Sequence, residues 1–377
     1  MPKTTISELA QFGQSIWLDN INRNMLDSGQ LKNMIEQGLL GMTSNPTIFE
    51  KAISSSVDYD TKIEELCHRG KSTFEIYDDL TVGDIQDAAD MFLPVYQSTK
   101  GLDGYVSLEI NPKLAYKTKE TIEEGKRLYD KVNRSNVMFK VPATTEGFPA
   151  IEEFLACGIN INITLIFSLQ QYINTAAAYA RGVKRFIKSG GDASKVRSVA
   201  SVFISRIDTA VDKMLDSLLV KASSSQEEKI NSLKGKAAVA NTQLIYGRFL
   251  EISSSSEFEK LKHKGANIQR VLWGSTSTKN PAYSDTKYVT ELIGKNSVNT
   301  VPFATFEAFL DHGQINEALT SDISWAEDVV LGLREVTIDI DEVCGKLLRE
   351  GVISFENSFI SLLQTIGSKQ EKICPKA

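Results

Sequence analysis

Short apolar runs rich in β-branched residues alternate along the chain with longer stretches of helical spacing. The runs that read as strands are 16–20, 39–43, 105–110, 137–141, 160–166, 199–204, 270–274 and 298–301. Between them, Ile85, Ala88, Phe92, Val95 and Tyr96 recur at helical intervals, as do Leu114, Thr118, Ile122, Gly125, Leu128 and Val132. Ser168 followed by Gln171 forms a capping box, which predicts a helix from there to Gly190. Eight strands, each followed by helix, within about 300 residues have the size and order of a (β/α)8 barrel, a TIM barrel. A doubly wound sheet competes, but it usually carries a glycine-rich loop after its first strand, and Trp17-Leu18-Asp19-Asn20-Ile21 has no glycine. Residues 1–377 are thus expected to form a single barrel domain. The segment 303–377 is expected to add C-terminal helices, packed outside the barrel or over its mouth, with Trp325, Val329, Leu347 and Phe359 as core candidates. The serine runs at 223–225 and 253–256 lie between helical segments and read as surface connections.

Strand side chains alternate between two faces. One face of the expected strands is cleanly apolar: Val106, Leu108, Ile110; Val137, Phe139, Val141; Ile161, Ile163, Leu165; Ala200, Val202, Ile204. That face suits a surrounding layer of helices. The other face carries Ser107 and Glu109, Met138 and Lys140, Asn160, Asn162 and Thr164, and Ser201, Phe203 and Ser205. The first strands add Asp19, Thr43 and Asn45. Most of these polar residues fall near the C-terminal ends of their runs, the end where barrel enzymes place their chemistry. Asn45-Pro46 and Asn111-Pro112 close two strands, and Asn280-Pro281 follows a third. Proline stops a sheet ladder and is preorganised for the first turn of a helix.

Composition narrows the chemistry. There are 42 Lys and Arg against 48 Asp and Glu, a net charge of −6, which disfavours a protein built to grip nucleic acid or an anionic membrane. Cys67, Cys157, Cys344 and Cys374 are far apart in sequence, which suggests neither a disulfide framework nor a thiolate metal site and fits a reducing compartment. His68, His263 and His312 each precede a glycine by one or two residues, a pattern of helix C-termini rather than of metal ligands. Residues 1–8 are polar, and no apolar run approaches the roughly 20 residues of a membrane span. A cytoplasmic protein is expected, with no metal and no cofactor. Monomer and homodimer both stay open.

Seven polar residues on the inner face converge on one mouth: Asp19, Asn45, Glu109, Lys140, Asn162, Thr164 and Ser201. Lys140 lies between Phe139, Val141 and Pro142, and burying an ammonium is costly unless it is paired or gives up its proton. An ion pair with Glu109 or Asp19 is one outcome. The other is a neutral amine, a nucleophile able to form a Schiff base with a carbonyl substrate. The imine would accept electrons as a neighbouring C–C bond breaks. Asp19 suits the alcohol proton at that bond. Glu109 suits carbinolamine chemistry, directly or through a water held by Thr164. Asn45 and Asn162 can hold substrate hydroxyls.

These residues resemble the transaldolases. The matching segments are Trp17-Leu18-Asp19; Met42-Thr43-Ser44-Asn45-Pro46; Val106-Ser107-Leu108-Glu109; Val137-Met138-Phe139-Lys140-Val141-Pro142-Ala143-Thr144; Gly158-Ile159-Asn160-Ile161-Asn162-Ile163-Thr164-Leu165-Ile166-Phe167-Ser168; and Ser201-Val202-Phe203-Ile204-Ser205-Arg206. The longer chain and its tail are similar to the longer bacterial and plant-type branch. The resemblance implies a Schiff base on Lys140, acid/base work by Asp19, water positioning by Glu109 and Thr164, and a dihydroxyacetone unit held by Asn45 and Asn162. It implies transfer of that unit from sedoheptulose 7-phosphate to glyceraldehyde 3-phosphate, giving erythrose 4-phosphate and fructose 6-phosphate. It also implies phosphate binding by Ser201 and Arg206. Many family members carry a second arginine after the seventh strand; here Trp273-Gly274-Ser275-Thr276-Ser277-Thr278-Lys279-Asn280 has none, so Lys279 with Ser277 is expected to replace it. Three rivals remain. One is a related aldolase that releases free dihydroxyacetone, against which Glu109 and Phe203 argue. The others are a catalytically silent sugar-phosphate-binding barrel and a metal-dependent aldolase.

Overall fold

A computed structural model of the protein describes residues 4–220 and 222–374. The first three residues of the polar N-terminal stretch and the last three of the tail lie outside that range. Eight parallel strands close into a barrel in sequence order, which excludes the doubly wound sheet. They are β1 (Gln14–Asp19), β2 (Gly41–Thr43), β3 (Tyr105–Glu109), β4 (Val137–Pro142), β5 (Ile161–Ile166), β6 (Ser198–Phe203), β7 (Arg270–Gly274) and β8 (Ser297–Val301). Each strand is followed by helix. Among the described residues no helix is long and apolar enough to cross a membrane.

Strand register separates the inner face from the outer. Glu109 pairs with Lys140 and Lys140 with Asn162, so these three point the same way into the barrel. Ser201 pairs with Leu272, and Trp17 with Thr300. The outer face is the expected apolar one; Val106, Ile163 and Val202 are fully buried beneath the helices.

The barrel base is plugged by a buried polar cluster. Asp103 accepts hydrogen bonds from Ser15 Oγ (2.8 Å) and Trp17 Nε1 (2.9 Å), and Arg270 Nη1 reaches it at 3.0 Å. The same guanidinium donates to the carbonyls of Leu102 (3.1 Å) and Ser297 (2.7 Å). Above the plug, the Trp17 indole fills the interior, and Gly41 is what admits it. A Cβ at Gly41 would stand 2.7 Å from the ring.

Three expectations need correction. Leu165, placed with the helix-facing set, adopts φ +56°, and the β5–β6 register shifts between Ile163 and Ile166. A left-handed leucine is costly and persists only where its surroundings fix it. Here the Gln171 amide donates to the carbonyls of Ala143 (3.1 Å) and Leu165 (3.2 Å), tying the ends of β4 and β5 together. Trp325, expected in the core, is 41 % exposed. Helix Ser324–Glu335 buries Ala326, Val329 and Leu333, a stripe that leaves Trp325 one residue out of phase. Leu114 sits in a short 3-10 turn (Pro112–Leu114) ahead of helix Thr118–Val132 rather than inside it.

Other local signals hold. Ser168 and Gln171 form the capping box of helix Leu169–Lys188. The serine runs are helix boundaries: Ser223 caps helix Ser224–Leu233 and Ser255 caps helix Ser256–Lys262. His68 and His312 end their helices and His263 is a C-cap.

The last helix, Ile340–Ile373, lies across the C-terminal mouth. Near its start Cys344 Sγ contacts the Phe167 carbonyl at 3.4 Å, just beyond β5. Further on, Gly351 lets the helix close on the barrel, because a Cβ there would sit 3.0 Å from the Leu165 side chain. Ser358 then meets Thr47 (2.7 Å), and Lys369 pairs with Asp60 on the opposite rim. The helix end also brings Cys374 beside Cys67, far away in sequence, and that neighbouring thiol, with burial, pushes the Cys374 thiol up to about 11.

Breaking the base should test its structural role. Arg270→Met removes the cation that faces Asp103 in the interior, leaving only the Ser15 and Trp17 donors, and is expected to cost about 3–5 kcal/mol, read as a lowered urea midpoint. The mouth lies at the other end of the strands, so kcat per folded molecule should be unchanged.

Candidate active site

The C-terminal ends of the strands enclose a cavity of about 300 Å³. Asp19, Asn45, Lys140, Asn162, Thr164, Ser201, Arg206, Ser277 and Lys279 all line it. Glu109, the remaining expected site residue, sits behind Lys140. A cavity of about 480 Å³ between helices Leu169–Lys188 and Ala237–Ser253 contains none of these residues.

Lys140 is 4 % exposed. Its ammonium lies 3.1 Å from Glu109 Oε2 and donates a hydrogen bond to the Ser44 carbonyl at 3.0 Å. Ser44 is itself fixed, its hydroxyl donating to the Ser107 carbonyl at 2.7 Å. The ion contact with Glu109 lacks hydrogen-bond geometry, and both Glu109 oxygens and the Thr164 hydroxyl are buried without a hydrogen-bond partner. Burial, opposed by Lys140, raises the Glu109 carboxyl above its usual range.

Asp19 faces the same cavity. Burial raises its carboxyl too, against the pull of Lys140, a hydrogen bond from Thr43, and the charges of Arg206 and Lys279. Thr43 donates to Asp19 Oδ1 at 2.8 Å, so its contact with Thr300 at 2.7 Å must have Thr300 as donor. This chain of hydroxyls orients one carboxylate oxygen.

Asn162 is locked from both sides. It donates to Ser107 Oγ at 3.1 Å and accepts from Ser201 Oγ at 2.5 Å. Asn45 caps helix Pro46–Ser54, with its side-chain oxygen accepting from the Ile48 amide at 3.0 Å, so its amide group is the end left for a ligand. Arg206 lies in the first turn of helix Ser205–Leu219, with its guanidinium 5.3 Å from the Phe203 ring centre. An ion pair with Asp208 is ruled out as its role. Asp208 is occupied by the Ala238 amide and the Tyr288 hydroxyl, each at 2.7 Å. Burial lowers the Arg206 pKa, opposed by Asp19 and Glu350. Lys279 reaches the cavity from the loop after β7 and is exposed.

Several lining residues went unread in the sequence. Thr300 occupies an inner position of a strand whose other residues look ordinary, and alternation along β8 could have found it. Lys51 lies one to two turns beyond Asn45 on the same helix, where it adds a cation to the wall. Phe355 comes from the C-terminal helix, and no local signal marks it.

The model of the Transaldolase/Fructose-6-phosphate aldolase family matches residues 16–366. This chain belongs to that family. It is 45 % identical to a transaldolase of Trichodesmium erythraeum over 98 % of both chains. It is 43 % identical to transaldolase 2 of Nostoc punctiforme over the full length of each. The transaldolase of Saccharopolyspora erythraea is 42 % identical over 96 % of this chain and 97 % of its own.

The raised Asp19 carboxyl has a consequence for stability. A carboxyl whose folded pKa lies above its unfolded value, 3.8, penalises the folded state at neutral pH. The penalty shrinks as pH falls through the folded pKa and vanishes below the unfolded one. Asp19→Asn is therefore expected to raise Tm at about pH 7, with the difference fading toward about pH 4. Paired thermal melts across that range check it.

Proposed function

We propose that the protein is a transaldolase, a transferase of ketone-bearing units that works through a Schiff base on Lys140. The observation that carries this reading is a buried lysine held against one carboxyl and facing another, with both carboxyls raised by burial. Burial makes each carboxyl release its proton less readily than a solvated one, which suits both to acid and base work on a substrate bound beside them.

The donor is a phosphorylated ketose such as sedoheptulose 7-phosphate. Proton transfer from the Lys140 ammonium to Glu109 frees the amine, which attacks C2 of the ketose. The carbinolamine hydroxyl takes the proton back from Glu109 and leaves as water, which the unpartnered oxygens of Glu109 and Thr164 are suited to hold. Asp19 then takes the C4 hydroxyl proton while the C3–C4 bond breaks. Its electron pair flows into the imine, and erythrose 4-phosphate leaves. The enamine attacks the aldehyde of glyceraldehyde 3-phosphate, Asp19 returns the proton, and hydrolysis frees fructose 6-phosphate. All these steps are redox-neutral and call on no cofactor.

Asn45 and Asn162 hold the hydroxyls of the dihydroxyacetone unit. The fixed orientation of Asn162 favours one binding pose. The phosphate is assigned to Arg206 and Ser201, with Lys279 and Ser277 on the neighbouring loop after β7. Glu109 and Phe203 stand where related small aldolases use tyrosine chemistry, which favours transfer over release. A single barrel unit with its C-terminal helices, acting in the cytoplasm on phosphorylated sugars, as a monomer or a homodimer, completes the proposal.

Borohydride added with fructose 6-phosphate should trap a three-carbon adduct on Lys140, located by mass spectrometry. Lys140→Met should lose both the adduct and activity, by at least about 10⁴-fold. No adduct on the wild-type protein would overturn the reading. For the phosphate end, Arg206→Ala and Lys279→Ala should each raise KM for phosphorylated substrates by about 10- to 100-fold with a smaller change in kcat. An unchanged KM in Lys279→Ala removes that residue from the site.

A further inference from the structure

The C-terminal helix Ile340–Ile373 contributes one side chain to the reacting end of the cavity. Phe355 is 3 % exposed and lines the same cavity as Lys140. Its ring centre lies 5.9 Å from Lys140 Nζ. A phenyl face at that distance attracts a cation, and a protonated imine is a cation as much as an ammonium is. The ring is held there by the docking of the helix on both sides of it. Gly351, one turn earlier, closes on Leu165 and stands 3.6 Å from Arg206 Nη1 by its Cβ direction. Ser358, one turn later, is hydrogen-bonded to Thr47 at 2.7 Å.

We propose that Phe355 determines specificity: it keeps solvent from the three-carbon intermediate on Lys140, so that the intermediate waits for an acceptor aldehyde instead of being released. The inference rests on the Schiff-base reading above. After C–C cleavage the intermediate is an enamine, nucleophilic at C3. In transfer, C3 forms a bond to the acceptor carbonyl carbon, and that oxygen takes its proton from Asp19. In loss, C3 takes a proton from solvent. Water then adds to C2, the C2–N bond breaks with its electron pair staying on Lys140, and free dihydroxyacetone leaves. Loss consumes one water and no oxidant or reductant. Its committing step is protonation of C3, which lies two bonds from Nζ, so a ring seated over Nζ also covers C3. In the Schiff-base reading the hydrolytic water is held by the unpartnered oxygens of Glu109 and Thr164 and not by the ring, so product release does not depend on Phe355.

The measurement is the ratio of two rates: dihydroxyacetone released from fructose 6-phosphate alone, and transfer from fructose 6-phosphate to erythrose 4-phosphate. In Phe355→Ala the release-to-transfer ratio should rise about tenfold, in Phe355→Gln it should rise similarly, and in Phe355→Leu it should stay within about threefold of wild type. Glutamine keeps most of the volume, so it decides the matter if the alanine variant does not fold. A ratio within about twofold of wild type in the alanine or glutamine variant overturns the shielding role, even if both rates fall together. Borohydride trapping on the wild-type protein separates the two readings. An adduct with an unchanged ratio sinks the role of Phe355 alone, whereas no adduct sinks the Schiff-base reading on which it stands.

Discussion

The buried ammonium of Lys140 is the constraint around which the mouth of the barrel is arranged. Removed from water, that charge must be met by groups in the protein, and it is met by Glu109 Oε2 at 3.1 Å and the Ser44 carbonyl at 3.0 Å. Each of these is fixed in turn. Glu109 is the register neighbour of Lys140 across β3 and β4, and Ser44 is tied to the Ser107 carbonyl. The ion contact is incomplete, since neither Glu109 oxygen finds a hydrogen-bond donor. Among the protein's own groups these oxygens are left free for a ligand or a water.

The two ends of the barrel treat buried charge differently. At the base, Arg270 and Asp103 are tied to each other and to Ser15, Trp17 and Ser297, with the Arg270 Nε left without a partner, and the cluster closes the barrel. At the mouth, burial raises both Asp19 and Glu109 with only partial compensation. The C-terminal helix belongs to the second end. It is tied at Phe167, Thr47 and Asp60, and Phe355 reaches from it toward Lys140 Nζ.

Much of this was legible beforehand because two rules are local. Alternation along a strand assigns each side chain to a face, and by itself it brings Asp19, Glu109, Lys140, Asn162, Thr164 and Ser201 to one mouth. Capping chemistry is equally local, so Asn45-Pro46 and Ser168 with Gln171 marked helix starts correctly. The rule failed at Leu165, where a single left-handed residue shifts the register and turns the side chain toward the last helix. It failed at Trp325, because an apolar residue one position out of phase with its helix stripe cannot be told from a core residue by type.

The sequence by itself determined the barrel, the order of its strands, and which residue types face inward, because strand period and strand-helix alternation depend only on neighbours along the chain. Its motifs also sufficed to indicate the family. Tertiary structure alone decided how the charges at the mouth are shared, that Thr300 joins Thr43 in orienting Asp19, that Cys374 meets Cys67, and that Phe355 covers Lys140. Those contacts join residues far apart in the chain. They are set by the closure of the barrel and the path of one long helix across it, and no local pattern encodes either.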